Sequence, residues 1–304
     1  EGRVLPDWFV ARFGRIRHIS RPRSFAASRH RLGLKKQLAA WLFAVLLASG
    51  ATPAVAGDHW SGFYLGGNAG YGWGNGENTL GITDGTTCHF GCPGGSDAAL
   101  AAAAGSPSLN PHGFAGGIQL GYNWQVYNWV YGLETDFGAF SQRGSSDTNT
   151  ALPANTAALD CNFGDPCVGK FSTSVRTDWL FTLRPRLGYT WSNTLLYVTG
   201  GIAVSRIAIS QTYSDNNPSN APLATVSYSG AQTKAGWIVG AGLEQSLGDH
   251  WSLRAEYLFV RFDNINAGAR LTDSLGGYAD FSSNLRLSSN IVRVGVNYSF
   301  GAAP

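Results

Sequence analysis

The sequence predicts an all-β fold: an eight-stranded antiparallel up-and-down transmembrane β-barrel, preceded by a signal peptide. Three observations predict it. The 304 residues include 40 Gly, 12 Tyr, 10 Trp and 16 Phe but only 13% charged residues, unlike soluble helical enzymes or disordered chains. Apolar residues alternate with small or polar ones at a period of two in eight separate segments. The connections between these segments alternate short and long, as when tight turns lie on one side of a membrane and loops on the other.

At the N-terminal end, Lys35 and Lys36 precede an apolar run from Leu38 to Leu47, followed by Ser49, Gly50, Pro53 and the triplet Ala54-Val55-Ala56. This is the charged, apolar, small-residue order of a secretory signal, with cleavage expected after Ala56. About 11 apolar residues fall well short of the ~20 that a spanning helix needs. The expected division is an atypical N-terminal extension at 1–31, a signal peptide at 32–56 and an outer-membrane barrel at 57–304. With no Met in the chain, the natural product is expected to begin near Leu32 or Leu34.

Cleavage also changes the charge. Residues 1–56 hold 10 of the 22 basic and 2 of the 19 acidic side chains, so the remainder carries 12 and 17, formally −5. The basic pI of 8.7 therefore belongs to the removed segment. No nucleic-acid partner is expected.

The eight strands follow in order. The first, Phe63–Trp73, sets Phe63, Leu65, Ala69, Tyr71 and Trp73 against Tyr64, Gly66, Asn68, Gly70 and Gly72. The second is the clearest: Phe114, Ile118, Leu120, Tyr122, Trp124 and Val126 face one way, and Ala115, Gly117, Gln119, Gly121, Asn123 and Gln125 the other. The third, Trp129–Ser141, puts Trp129, Tyr131, Leu133, Thr135 and Phe137 outside, with Glu134 and Asp136 inside. In the fourth, Thr173–Trp191, Val175, Trp179, Phe181, Leu183, Leu187 and Tyr189 are expected outside, and Arg176, Asp178, Thr182, Arg184, Arg186 and Gly188 inside. The fifth, Thr194–Ser210, leaves the faces open. The sixth, Ala235–Leu247, places Trp237, Val239, Ala241 and Leu243 outside and Glu244 inside. The seventh, Trp251–Phe262, places Leu253, Ala255, Tyr257 and Phe259 outside, with Arg254 and Glu256 inside. The last, Asn290–Phe300, places Val292, Val294, Val296, Tyr298 and Phe300 outside, with Arg293 and Asn297 inside.

Short turns are expected at Tyr127-Asn128, Ser192-Asn193 and Gly248-Asp249-His250, and long loops near 74–112, 144–172, 211–234 and 263–289. Both termini then fall on the short-turn side. Trp124, Trp129, Trp191 and Trp251 flank the short turns. Trp73, Phe114, Phe137, Trp179, Trp237 and Phe259 form a second belt nearer the loops, roughly 8–12 residues away along their strands, a separation that fits the about 9–11 residues a tilted spanning strand needs. A water-soluble barrel would reverse this parity, with large apolar residues inside.

The segments Trp60–Gly72, Arg184–Tyr189, Tyr197–Gly201, Gly236–Gly242 and Leu253–Tyr257 resemble the OmpA-like outer membrane β-barrel / porin family of alphaproteobacteria, over 58–300. The resemblance implies an eight-stranded barrel in the outer membrane of a Gram-negative cell, with a structural or surface-interaction role; some relatives bind haem or host surfaces. The last strand, with Arg293, Gly295, Tyr298 and Phe300, resembles the signal read by the barrel-assembly machinery, although Gly301–Pro304 follow the final aromatic. No appended peptidoglycan-binding domain is expected. The resemblance makes outer-membrane lipid and lipopolysaccharide the surrounding partners, with an extracellular ligand for the loops.

Eight charges share the inner parity: Glu134, Asp136, Arg184, Arg186, Glu244, Arg254, Glu256 and Arg293. Buried charges are tolerated when paired, so these residues form either a salt-bridge plug or an ion path. Eight strands leave a bore just wide enough for side chains to fill, which favours the plug; a low-conductance porin is the alternative. Glu134 and Asp136 are read as partners for arginines rather than as an acid–base pair. Cys88, Cys92, Cys161 and Cys167 lie in loops one and two and permit three disulfide pairings, with Cys88–Cys92 and Cys161–Cys167 preferred. A metal site using His89 has loose spacing. His59, His89, His112 and His250 all lie outside the membrane strands, so no lipid-modifying catalysis, catalytic residue, metal or cofactor is expected. The loops, including Ala98–Ala104, identify no ligand.

Overall fold

The computed structural model describes residues 60–85, 96–152, 167–215, 225–272 and 276–300. The expected extension and signal peptide, His59, His89, Cys88, Cys92 and Cys161 lie outside these residues. So does the disulfide pairing, since Cys167 is described only as backbone.

Ten strand segments and one helix follow in order: β1 (Gly62–Asp84), α1 (Ser96–Ala104), β2 (Ser108–Leu109), β3 (His112–Val126), β4 (Trp129–Leu152), β5 (Cys167–Trp191), β6 (Thr194–Asp215), β7 (Thr225–Gly248), β8 (Trp251–Phe262), β9 (Ile265–Thr272) and β10 (Tyr278–Ser299). All pair antiparallel in one sheet, and β1 closes on β10 from Tyr64↔Ser299 to Asp84↔Ala279. The ten segments occupy eight positions round the ring. β2 and β3 share one register on β1, with Gly76↔Leu109 and Trp73↔His112. Pro111, which has no N–H for the ladder, interrupts them, and Gly74 N donates to its carbonyl at 2.8 Å. β8 and β9 likewise follow one another along β10, broken at Asp263-Asn264. Closure leaves no open edge in lipid.

The three short turns stand where the sequence puts them. Tyr127 and Ser192 have φ of +54° and +55°, the positive φ at the first turn position that a two-residue hairpin uses. Asp249 and His250 both have positive φ, at +49° and +70°, as in type I′, and Gly248 beside them carries a register shift at φ +84°.

Outside, the lipid-facing rows follow the expected parity through β1, β3, β4, β8 and β10, with Ile118 63% exposed and Phe137 54%. Two expectations fail. The first concerns β5. Val175 is buried and Arg176 is exposed, the reverse of their expected faces. The register slips between Ala139 and Arg143 against β4, and between Thr177 and Leu180 against β6. A bulge shifts the count by one, and every side chain beyond it changes face. Leu243, expected outside, is also covered, at 7% exposure.

The second concerns the long loops. β4 and β5 stay paired from Trp129↔Tyr189 to Leu152↔Cys167. At ~3.3 Å per residue these strands run roughly 80 Å, against an apolar band about 25 Å tall. Much of 74–112, 144–172, 211–234 and 263–289 is therefore sheet standing beyond the membrane. Ala98–Ala104, expected as loop, lie in α1, which packs against β1 and β4.

The interior is layered. At the short-turn end sit Trp60, Val130, Leu195 and Tyr197. A charged layer follows. Above it the inner rows turn apolar, with Phe140, Ile207, Ile238, Leu258, Val260, Phe262, Leu285, Leu287 and Ile291 in one cluster. Furthest out, Leu80, Phe171, Tyr213, Tyr228 and Phe281 pack with Ala101 of α1. Above the charged layer the expected polar-in rule gives way to a mixed lining, in which apolar clusters stand beside buried Gln142, Gln211 and Ser289.

Candidate functional site in the barrel interior

The charged layer is built by strand alternation. Glu134 and Asp136 occupy successive inward positions on β4, Arg184 and Arg186 on β5, and Arg254 and Glu256 on β8, while Glu244 and Arg293 project from β7 and β10. Register sets Glu134 opposite Arg184 and Glu256 opposite Arg293. All eight are buried, none more than 6% exposed, and four carboxylates face four guanidiniums. Their formal charges cancel.

The contacts cross the bore as well as the ladder. Glu134 accepts from Arg184 beside it and from Arg254 on the opposite wall, whose Nη2 lies 3.1 Å from Glu134 Oε1. Asp136 binds Arg184 at 2.6 Å and Arg293 at 2.8 Å. Glu256 receives Arg293 Nε at 2.7 Å and Arg184 Nη1 at 3.3 Å. Glu244 takes Arg186 at 3.2 Å, Ser252 at 2.5 Å and Asn297 at 2.6 Å. Arg254 thus passes over Glu244, its register neighbour, for the far carboxylate.

Neutral side chains complete the layer. Tyr64 donates to Glu134 at 2.6 Å and Tyr197 to Glu256 at 3.0 Å. The guanidinium of Arg186 lies 4.8 Å and 5.0 Å from the ring centres of Tyr64 and Tyr197, a cation between two aromatic faces; its Nε also donates to Asn123 at 2.9 Å. Gln119 links Arg254 to Asn68 at 2.9 and 2.7 Å. Small inner residues make this crowding possible: a methyl group on Gly121 would strike the Tyr64 ring, and one on Gly242 the Tyr197 hydroxyl. Cavities beside the layer measure about 20 Å³ near Asp136 and Arg293 and about 10 Å³ near Tyr64 and Glu244, space for a water at most.

The sequence singled out the eight charges but not their neutral partners. Tyr64, Asn68, Gln119 and Asn123 stood on inner rows and were legible there; Tyr197 lay on the strand whose faces stayed open. The bond spanning the outer interior was not foreseen. The carbonyl of Gly105, just past α1, accepts from Asn78 on β1 at 3.0 Å and from Gln211 on β6 at 2.8 Å, strands on opposite sides of the ring. His112 and His250 stand apart, at the start of β3 and in the β7–β8 turn.

Comparison with known proteins agrees with this architecture. The family described as outer membrane protein beta-barrel domain matches residues 42–300. A 31 kDa outer-membrane immunogenic protein of Brucella melitensis is 34% identical over 79% of this chain and 84% of its own length. A 22 kDa outer membrane protein of Rhizobium leguminosarum bv. viciae is 26% identical over 70% of this chain and 69% of its own. Among solved structures, the outer membrane protease of Escherichia coli aligns over 82% of this chain and 100% of its own at 12% identity, with a TM-score of 0.39, a likeness that carries no argument about fold or activity. The chain belongs to the outer membrane protein β-barrel domain family and resides in the outer membrane of a Gram-negative bacterium.

Proposed function

We propose that this protein is a closed barrel with a structural and surface-presenting role, its interior plugged by paired charges rather than open to solutes. The observation that carries the reading is the Arg254–Glu134 contact across the bore, inside a set of eight charges that sums to zero. An ion path would need water along this layer, and the two cavities described beside it, near Asp136 and Arg293 and near Tyr64 and Glu244, each hold a water at most. The apolar layer above and the Gly105 crossing place two further obstacles in series.

The surface role rests on the strands that stand beyond the membrane. The Brucella relative is named an immunogenic outer-membrane protein, in keeping with such presentation. Within this reading the barrel-assembly machinery inserts the chain, an extracellular partner would meet the distal connections, and no catalysis or cofactor is involved.

Liposome swelling tests the plug. Proteoliposomes holding the wild-type barrel should swell no faster in small sugars or amino acids than empty vesicles. Swelling that rises with protein content and falls with solute size would establish a porin instead.

A further inference from the structure

We propose that the outer wall of β3–β6 carries a binding site for the phosphorylated sugar headgroup of the outer-leaflet glycolipid. One row across four neighbouring strands reads His112↔Arg143↔Arg176↔Ala208. The next row outward reads Ser145↔Ser174↔Ser210, and continues onto β7 at Ser229. Together these rows line an open concavity of about 830 Å³. Both arginines are exposed on the outer face.

The arrangement is unfavourable by itself. Arg143 and Arg176 are direct cross-strand partners, and like charges in that position repel. Among the described residues neither has an ion pair. Of the nearby outward carboxylates, Asp178 is engaged by Arg206 at 3.7 Å, and Asp147 stands two residues beyond Ser145. An anion between the two guanidiniums would turn the repulsion into attraction.

Height on the barrel selects the anion. The row lies immediately beyond the outer aromatic belt: Phe114 is two residues below His112 on β3, and Trp179 three below Arg176 on β5. Headgroups lie at this level. In the outer leaflet of this membrane they are phosphorylated sugars. Guanidinium forks suit phosphate oxygens, and a row of serine hydroxyls can both donate to and accept from sugar hydroxyls.

The test uses the full chain, folded in maltoside detergent, with bisphosphorylated lipid A, the same lipid stripped of phosphate, and inorganic pyrophosphate as probes, read by native mass spectrometry. The wild type should hold the bisphosphorylated lipid about ten-fold or more tightly than the stripped lipid. The double variant Arg143→Gln/Arg176→Gln should lose that preference, and Arg261→Gln, outward on β8, should keep it. Without lipid the double variant should melt no lower than wild type, since the change relieves repulsion; this separates lost binding from lost folding. Equal binding of either lipid, or undiminished binding by the double variant, overturns the site. Pyrophosphate binding as tightly as the lipid would overturn the glycolipid assignment in favour of a free anion.

Discussion

Arg254 on β8 and Glu134 on β4 stand four positions apart in a ring of eight, as far from each other as two strands can be, and they are hydrogen-bonded, with Arg254 Nη2 donating to Glu134 Oε1 at 3.1 Å. The contact joins residues 120 apart in sequence. It exists because side chains of both walls fill the bore at this level.

Removing one end of this contact should be far worse than removing both. Glu134→Ala leaves Arg184 and Arg254 short of a carboxylate and the Tyr64 hydroxyl without its acceptor, at an expected cost of about 3–5 kcal/mol. Glu134→Ala combined with Arg254→Met restores neutrality and should recover part of the loss. Urea unfolding in detergent, followed by the mobility of unboiled samples, measures the cycle. Additive losses would show that the two residues do not act as a pair.

Ring closure should be sensitive at a single methyl group. A Cβ on Gly70 would lie 2.1 Å from the Val292 carbonyl oxygen and 2.6 Å from Arg293 Cα, backbone that cannot swing aside, whereas one on Gly67 would meet nothing nearer than 3.8 Å. Gly70→Ala should force β1 from β10 and cost about 1–3 kcal/mol; Gly67→Ala should be close to neutral. Thermal unfolding of the two variants side by side decides this. Equal melting would place the seam elsewhere.

At the far end, Arg270 grips Asp280 through two bonds of 2.7 and 2.8 Å. These bonds, before its attraction to the arginine charge, hold the exposed carboxyl below the usual aspartate range. Since the folded value is the lower one, the pair's contribution is present above the ordinary aspartate range and disappears as pH falls through the depressed value. Carboxyl NMR titration should find Asp280 depressed in wild type and back in the ordinary range in Arg270→Gln. Identical curves in both proteins would show that the pair does not form in solution.

Much of the fold was legible because lipid imposes a strict parity. Gly113–Val126 alternates with a single gap, Gly116 on the apolar row, and its faces stand as read. The count failed at Val175 and Arg176, since a bulge leaves no mark in a one-residue alternation. Beyond the membrane, water removes the demand for an apolar outer row, so Ser145, Asp147 and Asn149 read as loop although their backbones stay in the ladder. On β8, Tyr257–Phe262 is apolar on both faces over most of its length, and the inward Leu258, Val260 and Phe262 were overshadowed by the lipid-facing set. The eight charges were conspicuous because ions are rare in such a chain. Which charge reaches which depends on ring closure, a relation between distant strands that no local pattern encodes.

Planar-bilayer recording addresses the closed bore most directly. Wild-type protein inserted at saturating density should leave the membrane at its bare conductance, and Glu134→Ala, which cuts the cross-bore tie but leaves the apolar layer and the Gly105 crossing in place, should do the same. Stable ohmic channels from the wild type would contradict the plug.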